Sequence, residues 1–281
     1  MTIRPTVVIG AFVLAACGRT GLLPRTMPVT VADAPMPTLV AELEVSLEDG
    51  TSDETGPASV VESPAPEPVV EAPAPTWDIE VAPFAAHERV EYFVGRFSGA
   101  MRPAFELALE RQSRYAPMIR ERLRRGGLPE DMIFLPLIES WYDPHAYSVA
   151  AAVGMWQFMT TTARGVGLRV DWWLDERRDP VRATDAAVIY LNELRETFGG
   201  SIYLSAAAYN GGPGRVSRSL AAHSESLDGV AGEELFFAIA DRPQALRQET
   251  RDYVPKLIAA ALVGKDPARY GIDVRSVEPW T

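Results

Sequence analysis

Cysteine occurs once in the 281 residues, at Cys17, so an internal disulfide is excluded and the lone thiol needs another explanation. Histidine occurs three times; His87, His145 and His223 are scattered without ligand spacing, so the sequence predicts no metal centre and no cofactor. The apolar run "VVIGAFVLAA", Val7 to Ala16, is long enough for the core of a signal peptide but too short to span a bilayer. Beyond residue 87 no alternating run of useful length predicts a strand, and no internal repeat is visible. Nor is there a surplus of base. The net charge is −11, and even the part richest in arginine is slightly acidic, which argues against a nucleic-acid partner.

What charge there is lies unevenly. Residues 1–86 hold 12 acids against three bases, Arg4, Arg19 and Arg25, while the remainder is close to neutral. About half the prolines, 12 of 23, fall in residues 1–83. The run "EVSLEDGTSDETGPASVVESPAPEPVVEAPAPTWD" has too little large apolar surface to offset its ordering entropy, and residues 17–86 therefore read as a disordered acidic linker. Roughly 65 such residues span about 45 Å as a flexible coil, the reach of a tether. The apolar run before it closes on Leu14-Ala15-Ala16-Cys17, which resembles a bacterial lipoprotein signal. That resemblance implies cleavage after residue 16, lipidation of Cys17 and, with Gly18 next, sorting to the inner leaflet of the outer membrane, facing the periplasm.

From residue 87 the pattern is helical. "HERVEYFVGRF" puts Val90, Phe93, Val94 and Phe97 on one face, and "FELALERQSRYAPMIRERLRRGG" continues to Gly126-Gly127. Arg120, Arg122, Arg124 and Arg125 crowd that helix end, where cations answer the helix dipole. "LPEDMIFLPLIES" predicts one helix ending near Ser140 before the "YDP" turn. A further helix follows in "VGMWQFMTTTARGVGL", closed by Gly165 and Gly167. Asp179 fits the N-cap and Pro180 the first position of "VRATDAAVIYLNELRETF". "SIYLSAAAYN" is a short helix broken at "GGPG", and "QALRQETRDYVPKLIAAAL" is the last, with Pro255 inside it. The expected architecture is a single, mainly α-helical domain over 87–270 with a short tail at 271–281.

Glu139 is the residue of chemical interest. Pro136 and Leu135 lie three and four residues before it, so desolvation should raise its pKa, as a general acid near neutral pH requires. Half-buried glutamates are often purely structural, and the residues around it leave both roles open. Trp141, Trp156, Trp172 and Trp173 are equally ambiguous: they suit stacking on sugar faces, yet helical domains bury tryptophans, and at least two are expected in the core.

Taken in order, "IES", "YDPHAYS", "GMWQFM", "AAYNGGPGRV" and "ETRDYV" resemble the lysozyme-like domain of the lytic transglycosylases, most closely the membrane-bound D type, which shares "LPEDMIFLP" and "DERRDP". The resemblance covers about residues 87–270. It implies a peptidoglycan lyase that cuts the β-1,4 bond between N-acetylmuramic acid and N-acetylglucosamine without water, leaving 1,6-anhydro ends. Glu139 matches the family's catalytic glutamate, first acid and then base. Ser148, Gln157, Met159 and Tyr209 match substrate-site residues, Asn210 supports the turn beside Tyr209, and Glu249 with Tyr253 matches the final motif, four apart on one helix face. A two-carboxylate glycosidase would need a partner acid. The candidates Asp143, Asp175, Glu176 and Asp179 all have local explanations as caps or turn formers, consistent with the family's mechanism, in which the substrate's acetamido group is thought to assist.

Two positions depart from the family pattern, Thr160 where proline is usual and Gly211 where alanine is usual. The LysM repeats common in the subfamily are missing up to Thr281. The alternatives are a hydrolytic muramidase of the goose-lysozyme kind and a non-catalytic lipoprotein that binds peptidoglycan.

Overall fold

The structure is a computed structural model and describes residues 75–275 and 277–279. The expected signal segment, Cys17 and most of the expected linker lie outside the described residues. Helices α1 (Glu88–Ser98) and α2 (Arg102–Arg125) lead, followed by α3 (Leu135–Ser140), α4 (Thr160–Gly165) and α5 (Pro180–Thr197). Then come α6 (Ile202–Gly211), α7 (Pro213–Ala222), α8 (Glu234–Ala240) and α9 (Gln248–Lys265). Among the described residues there is no strand, only isolated bridges between Tyr147 and Val153, Val153 and Phe158, and Val170 and Asp175. The mainly helical expectation is met.

The core is built around α9. Its residues from Tyr253 to Ala261 are all buried and, apart from Lys256, lack charge, and it packs against α1, α3 and α6. Small residues make the closest of these contacts possible. A Cβ on Gly264 would stand 2.4 Å from the Phe134 ring, and one on Gly211 would stand 2.8 Å from Thr250 Oγ1. The departure from alanine at Gly211 thus lies at the α6–α9 contact. The N-terminus of α6 is held by the Glu233 carboxylate, which accepts from Ser201 Oγ at 2.7 Å and from the amides of Ile202 and Tyr203 at 2.6 and 2.8 Å.

Three expectations are corrected. The single helix predicted over "LPEDMIFLPLIES" is two pieces, a 3-10 turn at Glu130–Phe134 and then α3. Pro136 has no N–H to continue the ladder, so the chain changes pitch ahead of it. Helices α7 and α8 were not foreseen; Gly212 (φ 85°) breaks α6, but Pro213 begins a new helix at once. The folded part also starts before residue 87. Ile79, Val81 and Phe84 are buried, Phe84 stacks on Phe237 at 4.3 Å, and the Lys265 ammonium lies 4.6 Å from the Trp77 ring centre. Asp78 and the 130–131 turn bond reciprocally: Asp78 N–H donates to Asp131 Oδ2 at 2.8 Å and Glu130 N–H to Asp78 Oδ2 at 3.2 Å. Ile79, Val81 and Phe84 of "TWDIEVAPF" are core residues, hidden in the sequence by the proline and acid immediately before them.

At Asp179 the local reading holds. Asp179 caps α5 by accepting from the amides of Val181 and Arg182 at 2.8 and 3.0 Å. The arginines at the end of α2 are ion-paired: Arg120 with Glu130, Arg122 with Asp185, Arg124 with Glu121 and Glu130, and Arg125 with Glu121. Trp156 is in the core, with Nε1 donating to Thr184 Oγ1 at 3.0 Å, and Trp141 packs edge-on to Phe97 and Phe105.

Candidate functional site

Glu139 occupies the last turn of α3, and the backbone there reverses sharply. Trp141 (φ 55°) and Tyr142 (φ 60°) are both left-handed, a conformation usually left to glycine, and their amides close the helix onto Leu137 O and Pro136 O. Packing holds them there: Trp141 against two phenylalanines, and the fully buried Tyr142 by its hydroxyl donating to Ile133 O. Ser140 Oγ donates to Met155 O at 2.9 Å and so ties the end of α3 to the Gly154–Gln157 turn.

The Glu139 carboxyl is wholly buried. Oε1 accepts a hydrogen bond from the Tyr253 hydroxyl, and Oε2 has no hydrogen-bond partner in the protein. Burial pushes its pKa up to about 8; the Tyr253 hydrogen bond and the Lys256 charge oppose this, and the Glu249 charge adds to it. At neutral pH the group is therefore chiefly the neutral acid, with one oxygen held and the other unpartnered. The Lys256 ammonium, also buried, has its pKa lowered by burial, against the pull of Glu139, Asp252 and Glu249.

The other predicted residues fall into two groups around this carboxyl. Tyr253 touches it directly. Tyr209, one of a buried trio of rings with Phe158 and Tyr190, feels the Glu139 charge, but its hydroxyl donates to Trp156 O at 2.7 Å. Asn210 bridges α6 to α9: Thr250 Oγ1 donates to its Oδ1 at 2.9 Å and its Nδ2 donates to Glu249 Oε1 at 3.3 Å. Its role is to join the two helices rather than only to support a turn. Ser148, Gln157 and Met159 lie on the connection from α3 to α4. Ser148 Oγ accepts from the Ala152 amide at 2.9 Å. Gln157 (φ 49°) donates from Nε2 to Gly154 O at 2.7 Å, while its buried Oε1 has no partner. Met159 precedes α4 and packs on the core.

Each candidate for a second carboxylate has a local partner. Asp143 accepts from the His145 amide, Asp175 pairs with Arg177, Glu176 accepts from the Arg169 amide, and Asp179 is a helix cap. Among the described residues no group of three or more His, Cys, Asp or Glu is arranged to hold a metal ion. Sequence reasoning missed Lys256 and Thr250. Lys256 had a signal, since Glu249, Tyr253 and Lys256 fall at i, i+4 and i+7 on one helix face.

The family described as Transglycosylase SLT domain matches residues 117–228, which include Glu139, Ser148, Gln157, Met159, Tyr209 and Asn210 but not Glu249 or Tyr253. Membrane-bound lytic murein transglycosylase D of Escherichia coli K12 is 36% identical over 161 residues, covering 56% of this chain and 33% of that protein. Membrane-bound lytic murein transglycosylase C of Glaesserella parasuis is 31% identical over 121 residues, covering 38% of this chain and 33% of that protein. This chain therefore spans about a third of the length of these relatives. The crystal structure of the 70 kDa soluble lytic transglycosylase of E. coli aligns with a TM-score of 0.44 at 25% identity, over 54% of this chain and 24% of that one. Residues 117–228 of this chain thus match the Transglycosylase SLT domain family, and the chain is similar over 161 residues to membrane-bound lytic murein transglycosylase D.

Proposed function

We propose that the protein is a peptidoglycan lytic transglycosylase with Glu139 as its one catalytic carboxyl. The observation that carries this reading is the state of Glu139: buried, protonated near neutrality, held at Oε1 by Tyr253 and unpartnered at Oε2. The acid delivers its proton to the glycosidic oxygen as the bond to muramic C1 breaks, and N-acetylglucosamine leaves with a free 4-hydroxyl. The carboxylate then takes the proton from the muramic 6-hydroxyl, whose oxygen bonds to C1 and closes the 1,6-anhydro ring. The proton count balances without water, and Glu139 ends as it began. Tyr253 and Lys256 support the second half, because a hydrogen bond and a nearby cation stabilise the carboxylate that burial disfavours.

Ser148, Gln157, Met159, Tyr209, Asn210 and Glu249 are assigned to the substrate site in the same reading. The unpartnered Oε1 of buried Gln157 supports that assignment. The lipobox ending at Cys17 supports a periplasmic enzyme held at the inner leaflet of the outer membrane by an acyl anchor. The membrane-bound names of its relatives agree with an envelope location.

Mass analysis of sacculi digested with the purified protein tests the reaction. Anhydro-muropeptides are the expected product; muropeptides one water heavier would make the enzyme a muramidase, and no release would make it a binding protein. Replacement of Cys17 by alanine should release the protein from the membrane fraction, and retention there would refute the anchor.

A further inference from the structure

Trp172 and Trp173 are the most exposed tryptophans of the described domain, at 81% and 74% of their full accessibility, and their ring centres are 3.7 Å apart. They sit at the tip of a short hairpin closed by the Val170–Asp175 bridge. Leaving two indoles in water forfeits the burial that makes tryptophan worth carrying, and adjoining apolar exposure of this kind marks a binding surface. Leu174 beside them and Tyr147 and Val149 on the neighbouring loop are exposed as well.

The tip is rigid. Asp171 Oδ1 accepts from the amides of Trp173 and Leu174, both at 2.9 Å, and Asp171 N–H donates to Leu174 O at 2.8 Å. Arg169 pairs with the same carboxylate, and Arg164 donates twice to Val170 O, at 3.1 and 2.6 Å. The base of the hairpin is locked to the segment that carries Ser148 and Gln157. Arg177 Nη1 donates to Ala151 O at 3.2 Å and to Phe158 O at 3.0 Å, and Arg178 Nη1 donates to His145 O at 2.8 Å. Gly154 lies so close that a Cβ there would be 1.9 Å from Arg177 O. The indole pair is thus a fixed extension of the substrate-site loop.

We infer that Trp172 and Trp173 form an accessory stacking platform for the saccharide chain of peptidoglycan, outside the residues assigned to the site itself. The inference rests on the transglycosylase reading for the identity of its ligand. An uncharged pyranose face offers C–H groups to an indole and needs no neighbouring charge. The hairpin supplies no excess of positive charge: residues 169–179 carry Arg169, Arg177 and Arg178 against Asp171, Asp175, Glu176 and Asp179. That balance gives an anionic lipid surface nothing to attract it. Pre-ordering of the rings keeps the entropic cost of stacking low.

The test uses the full chain with Glu139→Gln, so that bound glycan is not consumed, and Cys17→Ala, so that no acyl chain contributes. Co-sedimentation with purified sacculi should weaken about ten-fold when Trp172→Ala and Trp173→Ala are added. Replacing both by tyrosine should restore most of the affinity, because an aromatic face is what is needed. Unchanged binding of the double alanine variant overturns the platform, as does tyrosine failing where the alanine variant also fails. Vesicles of phosphatidylethanolamine and phosphatidylglycerol form the second arm. Loss of vesicle binding without loss of sacculus binding would assign the surface to lipid and overturn the proposal. The wild-type digest decides the other question independently: absence of anhydro-muropeptides would refute the catalytic reading while leaving the binding comparison valid.

Discussion

The Tyr253 hydroxyl donates to Oε1 of Glu139, joining the end of α3 to the middle of α9 across 114 residues of chain. That bond holds one carboxyl oxygen and leaves Oε2 without a hydrogen-bond partner in the protein. It also favours the carboxylate, in opposition to burial.

Tyr253→Phe should therefore raise the Glu139 pKa above about 8 and move the alkaline limb of the activity profile upward. Loss of a hydrogen bond to a group that becomes charged costs roughly ten-fold or more in kcat/KM. A pH–rate profile on soluble glycan strands measures both, and a limb that stays in place would mean the hydroxyl does not control the acid.

The two charges near Glu139 should act in opposite senses. Glu249→Gln removes a repulsion and should lower the pKa, while Lys256→Met removes an attraction and should raise it. The same profiles check this, with the expected order Glu249→Gln, wild type, Lys256→Met from low to high pH.

Glu139→Gln should abolish turnover and stabilise the fold in alkali. The folded pKa, about 8, lies above the ordinary value of 4.5, so between these limits the folded state holds the proton more tightly than the unfolded state. Stability from this group is full below pH 4.5 and is lost as pH rises to about 8. The loss is on the order of 4 kcal/mol, and glutamine escapes it. Thermal melts should show a small difference between the two proteins at pH 5 and a large one at pH 8, and parallel curves would contradict the burial argument.

Gly154→Ala should cost roughly 3 kcal/mol or more. Its φ of 83° disfavours any side chain, and the new Cβ would meet the Arg177 carbonyl. Urea denaturation measures the loss. Activity should fall as well, because the same collision pushes the hairpin away from the Ser148–Gln157 segment.

Much of the site was legible before the fold. Glu139 drew notice by an apolar run, a local pattern, while Tyr253 was singled out only by the resemblance of "ETRDYV" to a family motif. The hairpin tryptophans were not legible. "DWWLD" reads equally well as core or as surface, and the exposure of both rings follows from Asp171 turning the chain outward. The true start of the folded region was hidden for a different reason: Phe84, for one, packs on Tyr203 of α6 and Phe237 of α8, far along the chain.

The sequence by itself determined that the domain is helical, where most helices start and stop, and which glutamate stands among apolar neighbours. These follow from caps, periodicity and motif order, all of which act within a few residues. Only the tertiary structure decided the protonation of Glu139, the choice of Oε1 over Oε2, and the presence of Lys256 beside it. Each of those depends on desolvation and on charges brought together by packing α3 against α9, and no short stretch of chain contains that contact.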